Sequence, residues 1–347
     1  MPTIQTFGYI SLAESVNKII RPKSFLRDMF FKRRMSHPTT TVQVDILTGG
    51  QKKAPFVKRG NPATVVGKTG QQTHIVEPPN IRLKKYLTAT DLLFTRGAGM
   101  PIHVVGGSKD PIATARMERI GLEQQEMLNT ITRTEEYMAS QALQGSFTIT
   151  QDDLQFSIDF LMPAGNKPTL AGGNKWDAPD TATPLKNIRT WKNVAKKASG
   201  KIPTIAVMTT DVWNLFIACK EVKEYLDNRR IDLGKIETNK DILESGAELK
   251  AQIENVTYYT YDEYYDDGAG NLVSMVATDK VLLLSPNADT RLHYGAIEDL
   301  DAGVNFVGQL FSKDWIEKDP SLYWLLVETH PLPAVHEPEA FISAKVA

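Results

Sequence analysis

The sequence predicts an α+β fold in which a mixed helix-and-strand body carries one long extended arm. Three observations lead there. Residues 49–85, GGQKKAPFVKRGNPATVVGKTGQQTHIVEPPNIRLKK, are rich in Gly, Pro and basic residues, and their apolar runs are too short for a core. Residues 111–143 hold apolar side chains on one face at helical spacing for more than thirty positions. Residues 184–226 read as helix, strand, helix, the pattern of a small α/β unit.

At 347 residues and 41% hydrophobic content the chain can bury a real core, and its length suggests roughly two domains. No apolar run approaches the roughly twenty residues a bilayer requires, and MPTIQTFGYISLAESVNKIIRPK lacks a signal-peptide core, so no membrane partner is expected. The single cysteine, Cys219, excludes an internal disulfide framework and fits cytoplasmic synthesis.

Net charge is −1, but the charge is unevenly distributed. From Arg21 to Lys85 fourteen Lys/Arg face Asp28, Asp45 and Glu77, a local balance of +11, whereas residues 86–347 carry twenty-five basic and thirty-seven acidic residues, or −12. A basic arm on an acidic body can hold nucleic acid or the acidic body of a sister chain. Near-neutrality of the whole favours the sister chain, because nucleic-acid binders present an excess of positive charge.

In chain order, LAESVNKII at 12–20 suits a short helix, and Phe25, Leu26, Met29 and Phe30 fall at helical spacing. Those four would be sticky if exposed, so a helix docked on the main body is expected. VQVDIL at 42–47 and IRLKKYL at 81–87 read as the two legs of a long hairpin. Asp110 and Pro111 open the long helix as N-cap and first position. Ile120, Met127, Leu128, Ile131 and Met138 line its face, and Gly145 stops it.

SFTIT and LQFSIDFLM alternate across a QDD turn. Residues 163–183 form a loop, and Thr183-Pro184 caps a helix carrying Leu185, Ile188, Trp191 and Ala195, with Gly200 after it. Strand 202–208 follows, then a helix capped by Asp211 with Leu215, Phe216, Cys219, Val222 and Leu226 on one face. KDILESGAELKAQI suits a third short helix, before strands at Thr257–Tyr261, Leu272–Val276 and Val281–Leu284. VNFVGQLF, SLYWLLVE and AFISAKV close the chain as strands.

Chemical motifs are weak. Gly67-Lys68-Thr69 lacks the glycine a phosphate loop needs five positions earlier, where Pro62 stands, and Pro78-Pro79 follow instead of a helix. YDEYYDDGAGN at 261–271 places Tyr264 and Asp267 where a calcium loop needs a ligand and a glycine, so a hairpin tip is the better reading. His37, His74, His103, His293, His330 and His336 show no zinc spacing, and no nucleophile elbow occurs. Cys219 reads as a small buried hydrophobe. No catalytic residue, cofactor site or metal site is expected. In the arm, Phe56 is the only aromatic between Gly49 and Lys85, too few for base stacking.

The order of these elements, with FLRDMFF at 25–31, TVQVDI at 41–46, DVWNLFIACKEVKEYLDNRR at 211–230 and the C-terminal run 313–347, resembles the lambda-type major head proteins of tailed phages, which share the HK97-like capsid fold. The resemblance covers nearly the whole chain from Ser24. It implies an N-arm at 1–42, an extended E-loop at 43–90 and a P-domain at 91–170 with a spine helix at about 111–143. An A-domain at 171–300 and closing strands at 301–347, the last returning to the A-domain, complete the division it implies. It further implies a non-enzymatic subunit that assembles as hexamers and pentamers into an icosahedral head.

The partners it implies are a separate scaffold protein, a portal, a decoration protein in some shells, and packaged DNA touched without specificity; no long helical scaffold segment precedes the arm. Intersubunit contacts would come from Lys52, Lys53, Phe56, Lys58, Arg59 and Lys68 of the E-loop and from Phe25, Leu26, Met29 and Phe30 of the N-arm. Lysine–asparagine cross-links, known in some shells of this fold, are not expected in the lambda type. An encapsulin-like bacterial compartment and a nucleic-acid-binding protein using the basic arm stand as alternatives.

Overall fold

A computed structural model describes residues 24–49, 70–88, 91, 111–151, 154–228, 246–268, 270–301 and 304–347. Its chain runs through α1 (Phe25–Phe30), β1 (Arg33–Ser36), β2 (Val42–Thr48), β3 (Gly70–Val76), β4 (Ile81–Thr88) and α2 (Pro111–Leu143). Then come β5 (Ser146–Gln151), β6 (Leu154–Asp159), α3 (Pro184–Ser199), β7 (Ile205–Met208), α4 (Thr210–Ala218) and α5 (Lys220–Asn228). Next are β8 (Ala247–Ile253), β9 (Val256–Tyr261), β10 (Tyr264–Asp266), β11 (Leu272–Ser274), β12 (Lys280–Leu284), β13 (Thr290–Tyr294) and β14 (Ile297–Asp299). The last are β15 (Val304–Phe306), β16 (Phe311–Lys318), β17 (Ser321–Thr329), β18 (Pro331–Val335) and β19 (Ile342–Lys345).

The 33-residue α2, about 50 Å long at ~1.5 Å per residue, joins two packing regions. Its first half sets Ile120, Met127, Leu128 and Ile131 against Leu87, Tyr323, Leu325 and Val327 of the sheet β16-β17-β4. Its second half sets Met138, Ala139, Ala142 and Leu143 against α1, β2, β13 and β18. Gly145, at φ +95°, ends it in a conformation that favours glycine.

The α/β unit is a five-stranded sheet, β19-β12-β7-β9-β8, parallel only between β7 and β9. The central strand β7 is buried throughout: Ile205 and Val207 face the main core, while Ala206 and Met208 face α3, α4 and α5. The C-terminal β19 returns to this sheet beside β12.

Four expectations are corrected. The partner of β2 is β3, in register from Val42↔Val76 to Thr48↔Gly70, and residues 81–88 pair instead with β17. Pro78-Pro79 offer no N–H and divide the two strands, after which Leu83 and Leu87 turn toward α2. Residues 247–253 form a strand and not a helix, hairpinned to β9 through Glu254 and Asn255 at φ +53° and +61°; 240–245 lie outside the described residues. Asp211 sits in the first turn of α4, whose N-cap is Thr209, and Cys219, extended at ψ 137°, separates α4 from α5. That break leaves Leu226 exposed while Val212 joins Phe216 and Val222 inside.

The fourth concerns capping. Neither Thr183 nor Thr209 caps its helix with its side chain. Remote carboxylates do so: Glu221 accepts the Leu185 N–H at 2.9 Å, and Asp262 accepts the Thr210 N–H at 2.9 Å. Unsatisfied helix N–H groups and the helix dipole favour an anion at that place. Asp110, the N-cap expected for α2, and residues 12–20 lie outside the described residues.

Candidate intersubunit site

The arm is rooted on the body by its first leg. Val42, Val44 and Ile46 are fully buried, whereas β3 is largely exposed and Ile75 is 68% exposed. Among the described residues β3 has no strand on its far side. Leu47 donates its N–H to the His336 carbonyl at 2.8 Å, and His336 Nδ1 donates to the Asp45 carbonyl at 2.6 Å. Thr73 Oγ1 donates to the Asp45 carboxylate at 2.6 Å, and that bond holds the carboxyl below its usual range. At the end of the leg the Gly49 N–H reaches Glu339 at 3.1 Å. Lys52, Lys53, Phe56, Lys58, Arg59 and Lys68 follow and lie outside the described residues.

The N-terminal helix is docked on its own body. Phe25, Leu26 and Phe30 are buried, and Met29 is half-buried. Phe25 packs against the rings of Tyr259 and Tyr261 at 5.2 and 5.5 Å. The Leu26 and Arg27 N–H groups each donate to the Glu136 carboxylate at 2.8 Å, and Tyr261 Oη donates to it at 2.7 Å. Burial pushes the Glu136 carboxyl up, opposed by these donors. The Arg27 guanidinium donates to Glu135 at 2.9 Å and to Asp28 at 3.0 Å. Burial opposes its charge, yet those carboxylates prevail and hold Arg27 above its ordinary value. Sequence reading missed this network, since Glu135 and Glu136 look like any polar face of a long helix.

A second outward surface lies on the sheet β16-β17-β4. Trp315, Trp324 and Tyr86 are direct cross-strand neighbours, with ring centroids 6.1 and 5.3 Å apart. Lys84 Nζ sits 3.6 Å from the centre of the Trp324 ring, a cation–π contact. Lys85, whose side chain points the other way, donates to Glu123 and Glu126 of α2 at 2.9 and 2.6 Å.

Tyr264–Asp266 and Leu272–Ser274 pair as the hairpin expected there, and Cys219 is buried, where desolvation pushes its thiol up. Among the described residues no three of His, Cys, Asp and Glu are placed to hold a metal ion. His37, His293 and His336, distant in sequence, do meet in space.

A long helix under a three-stranded sheet, an α/β unit and a hairpin arm rooted between them make up an HK97-like fold. The fold superposes on that of a prophage capsid protein from E. coli CFT073 with TM-score 0.73, covering 99% of this chain and 100% of that one at 19% identity. The sequence pattern of the Phage major capsid protein E family matches residues 10–346, and the chain belongs to that family. It is similar to the P21 prophage-derived major head protein of E. coli O6:H1 strain CFT073, 26% identical over 360 residues, or 99% of this chain and 98% of that protein. To the major capsid protein of Escherichia phage lambda it is 28% identical over 226 residues, covering 62% of this chain and 64% of that one. The subunit is thus a structural component of a tailed-phage head, and so of the virion.

Proposed function

We propose that the chain builds its shell as hexamers and pentamers in which the arm clasps a neighbouring subunit. The observation that carries this reading is the root of the arm: one leg buried in the body, the other exposed, and between them a basic segment too polar for a core of its own. Lys52, Lys53, Lys58, Arg59 and Lys68 would meet the acidic body of the next subunit, with Phe56 supplying apolar contact. Exposed ion pairs contribute only ~0–1 kcal/mol each, so they would set register and partner choice more than affinity. Met29 is the N-arm residue of the four best suited to an outward contact. An N-arm at 1–42, a P-domain around α2 and an A-domain around the five-stranded sheet belong to the same proposal.

In this reading the chain works without catalysis or cofactor. It is made in the host cytoplasm, assembles on a separate scaffold protein around a portal, and touches DNA without specificity. Deleting Gly50–Lys68 tests it. The deleted chain should keep its circular dichroism and cooperative unfolding, and electron microscopy with scaffold present should show no closed shells where the intact chain forms them. Closed shells from the deleted chain would end the clasp reading, and loss of folding would put the segment inside a core.

A further inference from the structure

We propose that His37, His293 and His336 form a proton-operated latch that seats the root of the arm on the body and releases it in acid. The three rings form one hydrogen-bonded chain. His37 Nε2 lies 2.8 Å from His293 Nδ1, His293 Nε2 lies 3.3 Å from His336 Nε2, and His336 Nδ1 lies 2.6 Å from the Asp45 carbonyl. The elements joined are the turn after β1, β13, the residue after β18, and β2.

The carbonyl fixes every tautomer. It can only accept, so His336 Nδ1 carries a proton and, in the neutral ring, Nε2 is the acceptor. His293 Nε2 must then donate, which leaves Nδ1 to accept from His37 Nε2. Three neutral rings supply three N–H groups, and three junctions need one each. A first added proton fits on His37 Nδ1, at the half-exposed end, and breaks nothing. A second must enter a junction already holding one, setting two N–H groups against each other. His293 and His336 are 2% and 4% exposed, so water cannot screen that collision.

The surrounding charges leave the response to the imidazoles. Arg291, on β13 beside His293, adds to the repulsion, while Arg33 of β1 pairs with Asp289 at 3.4 Å. Asp289 is pushed up by burial, but its bonds to Arg291 prevail and hold it below the usual carboxylate range. Asp45 is held low by Thr73. Both carboxylates are therefore charged throughout the window that matters. Glu337, the residue after His336, is paired with Lys201.

Burial, with His336 and His37 adding to it, holds His293 down to about 3. A folded-state value depressed below ~6.5 means that the seated state is favoured above that pH. The preference is then lost about tenfold per unit as pH falls. From pH 7.5 to 5.0, His293 alone accounts for a roughly thirtyfold shift toward release.

The test is hydrogen–deuterium exchange of the unassembled full-length chain at pH 7.5 and 5.0, corrected for intrinsic amide rates. Its outcome is independent of whether the arm clasps a neighbour. Protection of residues 42–48 should fall about thirtyfold at pH 5.0 relative to Ile205–Met208 of β7, the internal reference. In His293→Asn, which keeps an acceptor toward His37 and does not titrate, the fall should shrink to threefold or less. Should that variant not fold, His336→Gln serves, since its amide can still donate to Asp45. Unchanged protection, an equal fall in β7, or a variant that keeps the full pH response would each overturn the latch.

Discussion

The α/β unit and the junction between α1 and α2 are both dry, but they are held in different ways. In the first, Trp176, Trp191, Trp213, Phe216 and Tyr258 cluster with neighbouring ring centroids 5.2–6.4 Å apart, around a buried Cys219. In the second, Arg27, Glu135 and Glu136 are buried beside Phe25 and Leu26. Apolar contact has no direction, so an aromatic cluster can repack around a change. A carboxylate that accepts two backbone N–H groups and a hydroxyl fixes both position and angle, and it fails when one partner is missing. The α/β unit is held by contact area, whereas the junction is held by one arrangement of donors and acceptors.

Glu136→Ala is the strongest way to break that contrast. It removes the acceptor for the Leu26 and Arg27 N–H groups and for Tyr261 Oη in a site closed to water. The expected cost is about 3–5 kcal/mol, the range for breaking a buried charged network from one side. Urea denaturation of the unassembled chain reads it. Exchange should show α1 losing protection ahead of β7. A cost below 1 kcal/mol would mean that α1 is held by Phe25, Leu26 and the Arg27–Glu135 pair without help from Glu136.

Phe216→Leu probes the other side. Phe216 touches Trp176, Trp213 and Tyr258, and leucine leaves an apolar residue in the cluster. Lost ring contacts and imperfect repacking should cost about 1–2 kcal/mol. The same denaturation experiment gives the ranking. A larger loss here than for Glu136→Ala would reverse the comparison.

The two regions also differ in how far sequence reveals them. The face of α2 is legible because Ile120, Met127, Leu128, Ile131 and Met138 repeat at helical spacing, and all are buried. Glu135 and Glu136 occur in the same helix and carry no such signal, because their partners Arg27 and Leu26 lie more than a hundred residues away. The return leg of the arm is hidden for the opposite reason. β3 is exposed and needs no apolar alternation, so the better-patterned β4 takes its place in a reading by period. β16 escapes likewise, its Lys313, Asp314, Glu317 and Lys318 lying on or near the surface. Of the candidate site, TVQVDI marks the buried leg, and the charge imbalance marks the arm. The histidine chain leaves no trace in spacing, being assembled from positions 37, 293 and 336 by three separate elements.

The smallest effect tests whether burial is what makes the junction different. Glu221 does for α3 what Glu136 does for α1, accepting the Leu185 N–H at 2.9 Å, but it is half-exposed at the surface of the α/β unit. There water can take over the N–H when the carboxylate is lost, and the dipole term is screened by salt. Glu221→Ala should therefore cost about 0.5–1 kcal/mol, the lower part of the range for losing a helix cap. The loss should shrink as salt is raised from 0.05 to 1 M, while that of Glu136→Ala should not. Equal salt response in the two variants would mean that the buried carboxylate is no drier than the exposed one. The distinction between the two regions would then rest on residue type alone.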